Sequence, residues 1–381
     1  MKVALVHDWL TGMRGGENVL EIFCRMFPEA DLYTLLHVKG SVSKTIENRR
    51  IYTSFLQNMP AVEKKYRWYL PLMPSAIESF KLEGYDMVLS SSHCVAKGIK
   101  PGGAPHLCYC FTPMRYAWDM YPQYFNPNRF SPPTLWAIAS VMPYLRRWDV
   151  RTAGRVKKFV AISHHVRERI KRWYGAEADV IYPPVDVEFY TPGNGERGGE
   201  YLMVSAFAPY KRVDLAIEAF NANRKPLRIV GSGEDGARLR KMAGPNIVFE
   251  SGASRERLRE LYRAAKALVY PGEEDFGIIP VEAMACGAPV VAYGRGGQAE
   301  TVTPLDNPDG RNPTGVFFLE QTVDGLEEAL ETFEEEFSSF IAGACRKSSE
   351  RFSSLEFKNS FMDAIKDFMK QHGVDHVDFP F

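Results

Sequence analysis

The chain predicts an α/β protein of two doubly wound, Rossmann-like domains, each a parallel sheet flanked by helices. Its 381 residues amount to two or three domains at about 150 residues each, most simply two of similar size. Short β-branched apolar runs alternate with helical periodicity along the whole length, the pattern that parallel sheets with crossover helices leave in a sequence. Between two sets of such runs lies 183–200, with three prolines, four glycines and no helical periodicity, which reads as a linker.

Composition narrows the function classes. Hydrophobic residues make up 45% and charged residues 25%, which excludes disorder and fibrous repeats. A chain this long buries roughly three quarters of its unfolded surface, so neither disulfides nor a structural metal are needed. The 47 Lys and Arg balance 47 Asp and Glu, which argues against nucleic acid as a partner. Cys24, Cys94, Cys108, Cys110, Cys286 and Cys345 are scattered, and no second Cys/His pair at zinc spacing accompanies Cys108 and Cys110. They are expected to be reduced core thiols of a cytoplasmic protein. No run of about 18 apolar residues offers a membrane span. His7 and Asp8 interrupt the apolar start, so residues 1–10 read as a first strand rather than a targeting segment.

Taken in order, apolar runs at 3–6, 87–90, 106–110, 159–162 and 180–182 supply the first domain, 1–184. Residues 185–200 are the linker. Runs at 201–204, 227–230, 247–249, 267–270 and 289–292 build the second domain, 201–350. The remainder, 351–381, is a long amphipathic helix over 352–371 and a tail. Sheets of this kind bind ligands beyond the carboxyl ends of their strands, so the site is expected in a cleft where the two domains face each other. Charge is segregated: 146–172 holds ten Lys or Arg against two acids, and 318–340 holds eight acids and no base. Solvated helix faces account for both, and the basic stretch would also suit an anionic lipid surface or a diphosphate carrier.

The most informative segment is 267–300. A strand ends at Tyr270, a loop follows, a helix runs from about Pro280 to Cys286, and Gly287 stops it. The amides of Gly277, Ile278 and Ile279 lie at a helix N-terminus, which binds phosphate without a dedicated side chain. Glu274 and Glu282 flank this start with seven residues between them. Two carboxylates at different depths can each hold a pair of sugar or ribose hydroxyls; alternatively, Glu282 is a helix-dipole carboxylate and Glu274 a solvated loop acid. After the strand at 201–204 come Tyr210, Lys211, Arg212, Val213 and Asp214. Lys211 as a point charge and Arg212 as a fork suit a diphosphate, or Arg212 simply pairs with Asp214 at a helix start. In the first domain the turn with Gly12, Arg14, Gly15, Gly16 and Glu17 lacks the glycine offsets of a dinucleotide fingerprint, yet allows close backbone approach to a ligand.

The run Glu274-Asp275-Phe276-Gly277-Ile278-Ile279-Pro280-Val281-Glu282-Ala283, followed by Gly287-Ala288-Pro289 and Gly294-Arg295-Gly296-Gly297, resembles the retaining glycosyltransferases of family 4. The likeness extends from Met1 to about Asp367. It implies the GT-B fold, with the last helix crossing back to the first domain. It also implies that Glu282 binds the nucleotide ribose, that Glu274 approaches the donor sugar and leaving diphosphate, and that the backbone of Phe276, Gly277 and Ile278 touches the transferred sugar. Gly15 and Gly16 would lie beside the donor phosphates and acceptor. Lys211 matches a diphosphate-neutralising lysine, whereas Ala206 stands where the family has an arginine, a role left to Arg212.

The segments around His93 and around Phe111-Thr112-Pro113-Met114-Arg115-Tyr116 are similar to a bacterial mannosyltransferase-like branch that builds O-antigen and exopolysaccharide. Phe111 replaces a usual histidine, and His93 either takes its role or is a satisfied structural histidine. The resemblance thus implies a hexose, by preference mannose from GDP-mannose with UDP-sugars second, passed to a lipid-linked or cell-surface glycan hydroxyl. No cofactor is expected beyond the nucleotide sugar, and no metal, because no Asp-x-Asp motif is present. The basic stretch and Lys64, Lys65, Tyr66, Arg67, Trp68 and Tyr69 suggest a peripheral place on the inner face of an anionic plasma membrane. A GT-B epimerase or phosphorylase, or a non-catalytic sugar-nucleotide-binding assembly subunit, are the alternatives.

Overall fold

A computed structural model describes residues 1–127, 130–195, 197–374 and 376–379. Glu196 in the predicted linker and Asp375, Pro380 and Phe381 in the predicted tail lie outside the described residues. The chain forms two compact units, Met1–Pro183 with Phe357–Phe381, and Pro184–Glu356.

The first unit is a seven-stranded sheet of β1 (Val3–His7), β2 (Asp31–Thr34), β3 (Arg50–Thr53), β4 (Met87–Ser92), β5 (His106–Cys110), β6 (Lys158–Ala161) and β7 (Ala178–Val180), in the order β3-β2-β1-β4-β5-β6-β7. Every pairing is parallel, so all carboxyl ends share one edge. The chain grows outward from β1 to β3 and restarts at β4, which puts the reversal of strand order between β1 and β4, where ligands of such sheets bind. Helix α1 (Gly15–Met26) follows β1 and buries Val19, Leu20, Phe23 and Cys24. Later come α2 (Pro132–Ala153) and α3 (His164–Tyr174), the latter started by Ser163, whose hydroxyl accepts the Val166 N–H, and stopped by Gly175 at φ +65°.

The second unit is a six-stranded parallel sheet of β8 (Tyr201–Val204), β9 (Leu227–Val230), β10 (Ile247–Glu250), β11 (Leu268–Tyr270), β12 (Val290–Tyr293) and β13 (Gly315–Phe318), ordered β10-β9-β8-β11-β12-β13. Its reversal falls between β8 and β11. Helices α4 (Val213–Asn223), α5 (Arg255–Ala264), α6 (Ile278–Ala285) and α7 (Val323–Glu335) connect or flank these strands. The last helix, α8 (Ser354–Lys370), carries Phe357, Phe361, Ile365 and Phe368 at a spacing that lines one face. In the first unit Phe361 packs 4.6 Å from Phe23 and 5.4 Å from Tyr109, ring centre to ring centre.

Three strands escape the sequence reading. Asp31–Thr34 opens with an acid, Arg50–Thr53 is a largely exposed edge strand, and Gly315–Phe318 is four residues long after a polar, proline-containing stretch. None of them forms the longer apolar run that marks a buried strand. The strand expected at 180–182 lies at Ala178–Val180, and the helix expected from Pro280 starts at Ile278. Residues read as linker are held within the second unit: Val185 N–H donates to Phe352 O at 2.8 Å, and Arg263 holds Thr191 through its carbonyl and hydroxyl.

Candidate functional site

In the second unit, the loops leaving β8 and β11 emerge from neighbouring strands at the order reversal, which brings Lys211 and Glu274 together. They form a direct ion pair, both side chains half-buried. The two loops touch at backbone level: a Cβ on Gly272 would lie 3.0 Å from Lys211 Cα and 3.1 Å from its carbonyl oxygen. Lys211 Nζ also stands 5.4 Å from the Tyr210 ring and 6.0 Å from that of Tyr270. Arg212 is not part of this pair. At φ +53° it turns its guanidinium away to the Gln321 side-chain oxygen at 3.0 Å and to Asp214 at 3.4 Å, the pairing that its spacing from Asp214 allowed.

Helix α6 begins after Gly277, whose φ of +87° is the left-handed turn that favours glycine. Its first amides have no intrahelical acceptor and carry the positive end of the helix dipole. The Phe276 side chain is buried against Phe352, 5.3 Å between ring centres, so only its backbone faces the loop. Glu282 sits one turn inside α6 and takes a hydrogen bond from the Tyr262 hydroxyl of α5 at 3.0 Å. Burial pushes its carboxyl up to about 7, against the opposing influence of the Tyr262 bond and of Arg255. Glu274 and Glu282 therefore have separate partners, one the Lys211 ammonium and the other a tyrosine.

A cavity of about 260 Å³ opens at the carboxyl ends of β8 to β10, lined by residues 204–206 and 230–232 with Gly252, Ala253, Leu258 and Ile279. Two of its lining loops touch at backbone level: a Cβ on Gly231 would lie 1.8 Å from Ser205 O. Ala206, where the family resemblance calls for an arginine, is exposed in this lining.

The first unit gathers a second constellation at its own reversal. Asp8, just past β1, is fully buried and accepts four backbone N–H groups, those of His93 and Cys94 on Oδ2 (2.7 and 3.0 Å) and of Val95 and Ala96 on Oδ1 (2.7 Å each). His93 Nδ1 stands 3.1 Å from Asp8 Oδ2. Burial would raise this carboxyl, but His93, as charge and as donor, and the His7 charge override it and hold it down to about 2. The His93 side chain is 34% exposed, edge-on to Trp9 at 4.6 Å and 6.3 Å from the Phe111 ring. Gly15 and Gly16 open α1 beside this group: a Cβ on Gly16 would meet Phe111 at 3.4 Å and His7 at 3.5 Å. The sequence reading missed Asp8 as a site residue; an acid directly after the first strand, opposite a strand that ends Ser-Ser-Ser and is followed by His93, was the available signal.

Among the described residues no three His, Cys, Asp or Glu side chains are grouped to hold a metal, and the six cysteines are buried free thiols. No described helix is long and apolar enough to cross a membrane.

Two parallel-sheet α/β units with paired loops at each order reversal define the GT-B class of glycosyltransferases, and solved structures agree. HepE of Anabaena, crystallised with UDP, aligns over 96% of this chain and 100% of its own at a TM-score of 0.71 and 17% identity. The family model described as Glycosyltransferase Family 4 matches residues 13–189, and that described as Glycosyl transferases group 1 matches 191–342. The chain belongs to the family 4 glycosyltransferases. It is 34% identical over 146 residues to a D-inositol 3-phosphate glycosyltransferase of Mycobacteroides abscessus, covering 32% of each chain. With a GDP-Man:Man(3)GlcNAc(2)-PP-Dol alpha-1,2-mannosyltransferase of Dictyostelium discoideum it shares 27% over 255 residues, 57% of this chain and 49% of that one. The matched part spans about a third to a half of the length of these curated relatives.

Proposed function

We propose that this glycosyltransferase moves a hexose from a nucleoside diphosphate sugar to a saccharide hydroxyl, with retention at the anomeric carbon and without a metal ion. The observation that carries the reading is the Lys211–Glu274 pair, formed where the loops leaving β8 and β11 meet at the reversal of strand order, in the same unit as a cavity of about 260 Å³ at the carboxyl ends of β8 to β10. The barrier to transfer is charge separation as the diphosphate leaves an oxocarbenium-like carbon. Fixed positive groups aimed at the leaving oxygens lower it most. Lys211 and the amides of Gly277 and Ile278 supply them, and the diphosphate takes over the partner that Glu274 provides to Lys211 in the free protein. Glu274 then accepts hydroxyls of the hexose, and Glu282 accepts those of the ribose. Attack comes from the face of departure, with the leaving phosphate oxygen taking the acceptor's proton.

GDP-mannose is the first donor to try, on the resemblance of the first-domain motifs. A uridine donor is the second reading, because the cavity lining includes no Asp, Glu, Asn or Gln side chain to meet the donor edge of guanine. The acceptor is proposed to be a lipid-linked saccharide at an anionic membrane. Support comes from Trp68 and Trp136, 77% and 74% exposed, with Arg67 beside the first. Flotation with anionic vesicles checks this, and no association at low salt counts against it.

Nucleotide release from GDP-mannose and from UDP-hexoses, with and without EDTA, and the anomeric configuration of the product test the transfer itself. Lys211→Ala is expected to lower kcat about 100- to 1,000-fold, as removal of one preorganised donor does, while remaining folded. Near-normal turnover of that variant would remove Lys211 from the site.

A further inference from the structure

We infer that Gln298 is the positioning residue that sets the Lys211–Glu274 pair for transfer, an inference that rests on the donor-site reading above. Gln298 opens a short helix, Gln298–Thr301, at the end of the loop that leaves β12 and lies across the one leaving β11, and it is completely buried. A buried primary amide must spend its donors and acceptor inside the protein. Here all of them go to backbone at the site. Nε2 donates to Gly272 O at 2.7 Å and to Tyr293 O at 3.2 Å, while Oε1 accepts the Glu274 N–H at 3.2 Å.

The same loop grips the other side of Glu274. Gly297 N–H donates to Glu274 O at 2.7 Å, and Gly296 pairs with Glu274 in an isolated parallel bridge. No side chain fits between the two loops: a Cβ on Gly296 would lie 2.4 Å from Glu274 O, and one on Gly297 2.3 Å from Phe276 Cα. Both peptide groups of Glu274 are thus fixed from one loop, and the amide of Gln298 is the side chain among these contacts. Through Gly272, whose backbone lies against that of Lys211, the same amide also limits where the lysine can go.

This arrangement separates two properties. The three hydrogen bonds of the Gln298 amide go neither to the cavity lining nor to Glu282, so the ribose contact does not depend on them, whereas the aim of Glu274 and Lys211 at the reacting carbon and leaving phosphate does, and the loss falls more on kcat than on KM. Replacing Gln298 by methionine keeps length and removes every hydrogen bond. In steady-state kinetics Gln298→Met is expected to lose about 10- to 100-fold in kcat, the loss that a misplacement of about 1 Å causes, with KM for the nucleotide sugar changed by less than about threefold. A merely structural role would lower the melting temperature and leave kcat per folded molecule intact, and that outcome overturns the inference.

Amide exchange followed by mass spectrometry gives a reading that needs neither turnover nor a folded variant. In the wild type, the peptide covering 271–277 is expected to contain a slowly exchanging Glu274 amide although it is a loop. Exchange there at the rate of an open loop overturns the clamp. If the wild type transfers from no nucleotide sugar at all while that amide is protected, the donor-site reading fails and takes this inference with it.

Discussion

Glu282 gives the most quantitative handle on the donor site. Its carboxyl ordinarily titrates near 4.5 and is pushed up to about 7 in the folded protein, by burial first, against the Tyr262 hydrogen bond and the nearby Arg255. The other neighbours are Asp186, whose charge adds to the rise, and Tyr190, which donates to the carboxyl. The sign follows from proton counting. Below pH 4.5 both folded and unfolded chains hold the proton, and above 7 both have lost it. Between those values only the folded chain holds it, so stability falls as pH rises from 4.5 to 7. At about 1.4 kcal/mol for each tenfold, the cost reaches roughly 3 kcal/mol above pH 7. Glu282→Gln, neutral throughout and still able to accept from Tyr262, should be more stable than the wild type at pH 8 by about 1–3 kcal/mol and equal to it near pH 4.5.

The functional arm runs in the opposite direction. A carboxylate accepts two ribose hydroxyls better than a carboxylic acid does, so wild-type affinity for a nucleotide sugar should weaken as pH falls below 7, by up to about tenfold per pH unit. A nucleotide sugar is the ligand to use, because its diphosphate diester does not itself titrate in this range. Calorimetric titration from pH 5.5 to 8.5 on both proteins separates the cases. The wild type should show a midpoint near 7, and Glu282→Gln should bind more weakly at pH 8 with no such midpoint. A wild-type affinity that is flat with pH, or an equal slope in the variant, refutes the placing of Glu282 on the ribose.

Arg212→Ala should change kcat by less than about threefold, since its guanidinium is bonded to Gln321 and Asp214 rather than to the Lys211–Glu274 pair, and steady-state kinetics beside Lys211→Ala decide it. Asp8→Asn should destabilise the protein by about 2–4 kcal/mol at pH 7, because four backbone donors lose a charged acceptor, as denaturant titration would measure. Asp8 is ionised down to about pH 2, below its ordinary value near 3.8, so its contribution is present above 3.8 and lost as pH falls through 2. The stability difference between the Asp8→Asn variant and the wild type should therefore shrink in strong acid.

The alternation of apolar runs and helices was enough to reach two parallel sheets, because buried parallel strands are continuous hydrophobic runs. It failed at β2, β3 and β13, which carry an acid, an exposed edge or a polar, proline-containing approach. At the candidate site, Lys211 and Glu274 were readable because each lies in the loop that leaves an apolar strand, and the topology then placed those strands side by side. Asp8 and Gln298 were not, for a common reason: each acts by hydrogen bonding to backbone from a distant part of the chain, 85 residues away in the first case and 24 in the second. Such bonds leave no mark on periodicity or spacing. Arg212 was readable both ways, and in the structure it contacts both Asp214 and Gln321, the second a partner 109 residues away that its spacing does not announce.

Two departures from the family pattern then bear on one quantity, the positive charge available to a leaving diphosphate. Ala206 removes a guanidinium where the chain meets the cavity, and Arg212, with its backbone in the left-handed region and its head group held by Gln321 and Asp214, does not restore it at the pair. On the proposed reading the diphosphate meets, within the second unit, the Lys211 ammonium and the dipole of an eight-residue helix. A helix end contributes about half a charge and only within its first turn, so its effect depends on how closely the phosphate is held against Gly277 and Ile278. The position of the loop that leads into Gly277 then matters more than it would beside a second cation. That loop is the one gripped by Gly296, Gly297 and Gln298, which is the physical reason to expect turnover to be more sensitive to Gln298 than to Arg212.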